Sequence, residues 1–158
     1  MDYQIRKSEA KDMVFVLELI KELALFEKEA NQVELTEEDL IRDGFGSKPL
    51  FSCFVAEVSG VIRGAALYYN RYSTWKGKTV HLEDLIVQES FRGKGLGMGL
   101  YKAVLKEAQN QGVKRVEWNV LDWNEGAIAF YESTGAKVLR DWDTVQMNEM
   151  GLRSFLDK

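Results

Sequence analysis

A glycine-rich turn between two segments of different period constrains this chain more than any other feature. Leu82-Glu83-Asp84-Leu85-Ile86-Val87 reads as a strand, Arg92-Gly93-Lys94-Gly95-Leu96-Gly97 follows, and Leu96, Leu100, Ala103, Val104 and Ala108 then share one face of a helix. Glycine tolerates positive φ and close backbone approach, and the first N–H groups of a helix have no intrahelical partner. Together these make an anion site in outline, suited to a phosphate. A tight turn that binds nothing is the simpler reading of the glycines alone. Two familiar phosphate loops fail on spacing. Met98 and Leu100 stand where Gly-x-Gly-x-x-Gly needs its third glycine, and Tyr72 stands where a P-loop ending in Gly77-Lys78-Thr79 needs its first.

The rest of the chain supplies a frame for that turn. Tyr3 to Lys7 alternates as a strand, Ser8 can cap a helix from Glu9, and Met13, Val16, Leu17, Ile20 and Ala24 form its apolar face. A shorter helix starts at the capping-box-like Thr36-Glu37-Glu38-Asp39 and closes at Gly44 and Gly46. Leu50 to Val58 and Val61 to Arg71 read as a hairpin about Ser59-Gly60, and Trp75 to Lys78 turns the chain into a strand over Thr79 to Val87. After the glycine-turn helix come a strand from Lys114 to Leu121, a helix from Asn124 to Thr134, and a last strand from about Lys137 to Met147. The expectation is an α+β fold in the order β-α-α-β-β-β-α-β-α-β, one mixed sheet with helices on both faces. Its 158 residues suit one domain, 1–158.

Composition narrows the function classes. One cysteine and one histidine rule out a disulfide framework and a Cys/His zinc site, so no metal is expected. A formal net charge of −4 disfavours nucleic acid and favours a cationic partner. No apolar run is long enough to span a bilayer, and the N-terminus does not read as a signal peptide, so a cytoplasmic protein with no membrane partner is expected.

Arg92-x-x-Gly95-x-Gly97 after Leu82 to Val87 resembles the acyl-CoA pyrophosphate motif of the GNAT superfamily of N-acetyltransferases. Asn124-x-x-Ala127-x-x-Phe130-Tyr131-x-x-x-Gly135 is similar to that family's second signature. Ile20 to Ala24, Leu35 to Leu40, Asp43 to Gly46, Val55 to Val58, Leu82 to Asp84 and Trp123 to Glu125 resemble the diamine (spermidine/spermine) branch. The likeness covers nearly the whole chain and weakens after about Lys137.

The resemblance implies acetyl-CoA as co-substrate, a small cationic amine as acceptor, and a homodimer. It implies a V-shaped splay beside the strand that precedes the turn, where Leu85, Ile86 and Val87 offer main-chain groups to the pantetheine arm. Arg92, Gly93, Lys94, Gly95, Leu96, Gly97 and Met98 would hold the pyrophosphate. Asn124, Glu125, Gly126 and Ala127 would lie along the pantetheine, with Gly126 in place of the proline common after Asn-Glu. Tyr131 matches the catalytic tyrosine that protonates the leaving CoA thiolate. That transfer is uphill in water by roughly 2 kcal/mol, which a positioned hydrogen bond can offset. Phe26 and Glu27 stand where the branch has an aromatic-acid pair against the polyamine, phenylalanine here replacing tyrosine.

The acceptor arrives as ammonium and must lose a proton before it attacks. Glu83 is the candidate base and amine ligand. Strand alternation expects it on the side of His81 and Leu85, opposite Asp84. Three other readings compete. Cys53 and His81 would form a nucleophile–base pair in a covalent mechanism. The chain would be a catalytically silent acyl-CoA-binding module. Or the acceptor would be thialysine, another small amine or a protein amine.

Overall fold

The computed structural model describes residues 1–158, which form two compact units, Met1–Asn119 and Val120–Lys158. The first contains β1 (Gln4–Lys7), α1 (Met13–Phe26), α2 (Glu37–Phe45), β2 (Ser52–Val58), β3 (Val61–Ser73), β4 (Gly77–Val87), α3 (Leu96–Asn110) and β5 (Val116–Glu117). Its strands lie in the order β1-β2-β3-β4-β5. The first four are antiparallel, and β5 joins β4 in parallel, giving the mixed sheet of the expected α+β class.

Local chemistry sets the element starts. Thr36 Oγ1 accepts from the Asp39 N–H at 3.2 Å while the Asp39 carboxylate accepts from the Thr36 N–H at 2.8 Å, so the expected capping box opens α2. At the first helix Ser8 is not the cap. The Glu9 N–H donates to Asp12 at 2.7 Å, through a 3₁₀ turn over Ala10–Asp12. Buried Asp12 is also held by the Arg6 fork at 2.8 and 3.0 Å, which a charge taken from water requires. Ser59 and Gly60, at φ 50° and 80°, make the tight β2–β3 turn.

Helices cover both faces of the sheet. On one, Met13, Val16 and Leu19 of α1 and Leu40 of α2 pack against Cys53, Val55, Ala65, Leu67 and Ile86. On the other lies α3, with Leu96, Leu100, Val104 and Ala108 buried. Gly64 permits that approach, because a Cβ there would stand 3.0 Å from Leu100 Cδ1.

Two irregularities in β4 shape the region beside the glycine turn. Its parallel ladder with β5 has only the pairs Val80–Val116 and His81–Glu117, so β5 is far shorter than the expected Lys114 to Leu121. Past His81, β4 runs on to Val87 without a β5 partner, at the place where the splay is expected. Against β3, Tyr68 pairs with Leu82 but Leu67 pairs with Asp84. Glu83 is thus an extra residue, a β-bulge.

The second unit contains α4 (Glu125–Ser133) and α5 (Glu149–Leu156). The expected last strand, Lys137 to Met147, does not form. Alternation needs a ladder partner to become a strand. No strand pairing includes these residues, which are exposed from 139 to 147, Val145 at 93%. The chain instead ends in α5, a helix that the sequence reading did not expect. Asn148 caps it, its side-chain oxygen accepting from the Gly151 N–H at 2.8 Å.

Candidate active site

The turn before α3 has the backbone of an anion cradle. Gly93 and Gly95 take φ of 73° and 91°, and Gly95 is the N-cap of α3 with no side chain to satisfy its donors. The first intrahelical bond runs from the Gly99 N–H to the Gly95 carbonyl at 2.9 Å. The N–H groups of Leu96, Gly97 and Met98 precede it, at the positive end of the helix. Leu96 is buried and anchors the helix start, while Arg92, Gly93, Lys94 and Gly95 are exposed.

Neighbouring side chains brace this turn. The Tyr3 hydroxyl donates to the Gly95 carbonyl at 3.2 Å, Arg92 Nε to the Val87 carbonyl at 3.0 Å, and Lys94 Nζ to the Ser90 carbonyl at 3.1 Å. Glu22 of α1 accepts from the Glu89 N–H at 3.0 Å and lies 3.7 Å from Arg92. Both basic side chains thus bond nearby main-chain carbonyls and keep further N–H donors, beside the main-chain N–H groups of the helix start. Tyr3 and Glu22 were invisible in the sequence, since their partners lie 92 and 67 residues away.

Leu85, Ile86 and Val87 occupy β4 beyond the end of the β5 ladder. The Val87 carbonyl already accepts from Arg92.

Glu83 stands on the side of His81 as expected, and the bulge corrects the expected facing of Asp84 and Leu85. Glu83 Oε2 accepts from the Tyr69 hydroxyl at 3.0 Å and lies 3.3 Å from His81 Nε2, so Glu83 and His81 do share a face. Tyr69 pairs with His81, and Leu67, two residues earlier on β3, pairs with Asp84. Asp84 therefore lies on the Glu83 face, not opposite it. Leu85, paired with Ala66, falls on the other face. Two neighbouring carboxylates on one face are what a bulge permits and regular alternation forbids.

Electrostatics follow from that crowding. Burial, then Glu83, then Glu27 push the Asp84 carboxyl up to about 6. Glu27, at the end of α1, is itself raised by burial and by Glu29. Glu83 is lowered, first by the hydrogen bond from His81 and also by that from Tyr69. The Phe26 ring centroid sits 5.6 Å from the Arg92 guanidinium. The structure thus brings Phe26, Glu27, Glu83 and Asp84 together beside the glycine turn. Asp84 is the member that sequence reasoning missed.

In the second unit, Asn124 caps α4 as expected, its side-chain oxygen accepting from the Ala127 N–H at 3.2 Å. Glu125 and Gly126 form the first turn, and Tyr131 follows Asn124 by two helical turns on the half-buried side.

The Cys53–His81 pair does not assemble. Cys53 is 4% exposed, and burial pushes its thiol up to about 12, too high for a thiolate nucleophile. The ring nitrogens of His81 face Arg71 and Glu83 instead.

A family model described as acetyltransferase (GNAT) family matches residues 16–136, from α1 through the glycine turn to the end of α4. Thialysine N-epsilon-acetyltransferase of Mus musculus is 40% identical over 146 residues, 87% of this chain and 86% of that protein. Spermidine/spermine N(1)-acetyltransferase-like protein 1 of Homo sapiens is 42% identical over 144 residues, 86% of this chain and 21% of that longer protein. Among solved structures, an integron cassette protein from the mobile metagenome of V. cholerae has a TM-score of 0.80 at 23% identity, covering 100% of this chain and 99% of that one. With the strand, the glycine turn and the capped second helix all inside the matched span, the chain belongs to the GNAT family of acetyltransferases.

Proposed function

We propose that this chain moves the acetyl group of acetyl-CoA directly to a primary amine of a small diamine or polyamine. One observation carries the reading: Asp84 is half-buried beside the anion turn with Glu83 and Glu27 close by, and burial first, then those two carboxylates, hold its proton on up to about 6. A site that gathers negative charge at such cost is suited to a cation. Phe26 adds an apolar face for a methylene chain.

In this reading the main-chain N–H groups of Leu96, Gly97 and Met98, on the loop of Arg92, Gly93, Lys94 and Gly95, hold the pyrophosphate. Leu85, Ile86 and Val87 align the pantetheine, with Asn124, Glu125, Gly126 and Ala127 along the same arm. Acetyl-CoA supplies the thioester. Glu83 takes the ammonium proton, directly or through water, and Tyr131 returns one to the departing thiolate. Residues 1–158 act as one domain, in a homodimer in the cytoplasm, without nucleic acid or membrane.

A second reading, thialysine as acceptor, is favoured by the name of the mouse relative. Thialysine carries a carboxylate that three acidic neighbours would repel, whereas a polyamine is cationic throughout. Turnover with acetyl-CoA across spermidine, spermine, putrescine, thialysine, lysine and aminoglycosides tests both. The expected result is the highest kcat/KM on a polyamine or diamine. A preference for thialysine moves the assignment to the second reading. Binding of acetyl-CoA with no turnover on any amine makes the chain a silent acyl-CoA-binding module.

A further inference from the structure

The only histidine of the chain, His81, is 5% exposed, and the acetyl transfer assigns it no role. Arg71 Nη1 lies 3.2 Å from His81 Nδ1, and His81 Nε2 lies 3.3 Å from Glu83 Oε2. A guanidinium has donors and no acceptor. Nδ1 must therefore accept from Arg71, since a proton there would set donor against donor. The ring proton then sits on Nε2, facing the carboxylate. Arg71 is itself fixed at 3.2 Å by Glu117 of β5, so this row of side chains is anchored at its far end.

We propose that His81 is a positioning residue for Glu83, its tautomer set by Arg71 and its Nε2–H aiming the carboxylate at the substrate amine. The inference rests on Glu83 acting as the base. The side chain of His81 is 7% exposed and that of Glu83 50%, so Glu83 meets the amine and His81 works through it. Both donors, the Tyr69 hydroxyl and His81, converge on Oε2, which assigns Oε1 to the incoming ammonium. A bulge residue lacks the ladder bonds that fix its neighbours, so side-chain donors must supply its orientation. The charged groups facing this pair are Arg71 from β3, Asp84 from β4, Glu117 from β5 and Glu27 from the end of α1, the last through Asp84.

The test uses the full chain with acetyl-CoA and spermidine, and, independent of turnover, an NMR titration of the Glu83 carboxyl. His81→Leu should lower kcat about 10- to 100-fold with the acetyl-CoA KM unchanged, and should move the acidic limb of the pH profile and the Glu83 titration upward. His81→Gln keeps an acceptor for Arg71 and a donor for Glu83, and should restore most of the activity. Tyr69→Phe, which removes one donor and disturbs little packing, should move the same titration in the same direction. In the Glu83→Gln background, His81→Leu should have no further effect on kcat. If Glu83→Gln is inactive while His81→Leu leaves both the titration and kcat at wild type, the positioning role is wrong and the base stands. If Glu83→Gln is fully active, the base assignment itself has failed. A His81→Gln variant as impaired as His81→Leu would show that a donor to Glu83 does not suffice and overturn the inference.

Discussion

Asp84→Asn is the perturbation that most directly weighs the acidic cluster. Burial, Glu83 and Glu27 push the Asp84 carboxyl up from 3.8 to about 6. At 1.36 kcal/mol for each tenfold, ionising it in the folded protein costs at most about 3 kcal/mol relative to the unfolded chain. Below about pH 4 both states hold the proton and the wild type has its full stability. As pH rises, the unfolded chain releases the proton first, and stability falls until the folded carboxyl ionises near pH 6. Asparagine cannot titrate. The stability difference between variant and wild type should therefore grow by up to about 3 kcal/mol between about pH 4 and about pH 8, whatever constant offset the amide brings. Urea unfolding of both proteins across that range measures it, with the carboxylates remote from Asp84 cancelling in the difference. Added spermidine should close part of the gap at high pH, because a bound cation favours the ionised carboxylates of the wild type. A difference flat with pH would refute the reasoning, since neither burial nor the neighbouring Glu83 and Glu27 would then be raising Asp84.

Gly97→Ala should weaken acetyl-CoA binding in calorimetry without harming the fold, because its Cβ would meet only Val87 Cγ2 at an ordinary 3.7 Å while narrowing the turn; it is a cleaner probe than Gly95→Val, which forces a β-branched residue to φ 91°. Tyr131→Phe should lower kcat by ~10²–10⁴-fold with acetyl-CoA affinity kept, whereas Cys53→Ala should lose about 1–2 kcal/mol of stability and keep its turnover; mass detection of an acetylated Cys53 would reverse that assignment. Raising salt should lower kcat/KM for a polyamine through screening of Glu27, Glu83 and Asp84, and a salt-insensitive rate would remove them from the amine site.

The parts legible in the sequence were those that local chemistry writes. The Thr36–Asp39 box, the Asn124 cap, the Ser59-Gly60 turn and the glycines before α3 each depend on residues within a few positions of one another. Tertiary geometry hid the rest. Nothing in Leu82-Glu83-Asp84 announces a bulge, which exists only in the register against Leu67 and Tyr68. Strict alternation therefore placed Asp84 on the wrong face and left it out of the site. At the C-terminus the error ran the other way. Lys137 to Met147 alternates well enough to read as a strand, yet a strand is a statement about a neighbour, and the sequence names none. The Asn148 cap with Glu149 in the first turn was the local signal that could have revealed α5.

The bulge also makes fold and chemistry separable at one position. Before Glu83, Val80 and Leu82 share the α3 side of β4; after it, Leu85 and Val87 do, with Ile86 returned to the core beneath α1. Removing Glu83 from the chain would join the Tyr68–Leu82 and Leu67–Asp84 pairs into an unbroken ladder and leave every flanking side chain on the face it already occupies. An ordinary single-residue deletion in a strand turns everything downstream inside out. Here the sheet is complete without the residue, and the carboxylate is in effect an insertion into a finished scaffold. Its position can be lost or gained in one event without any demand on the core.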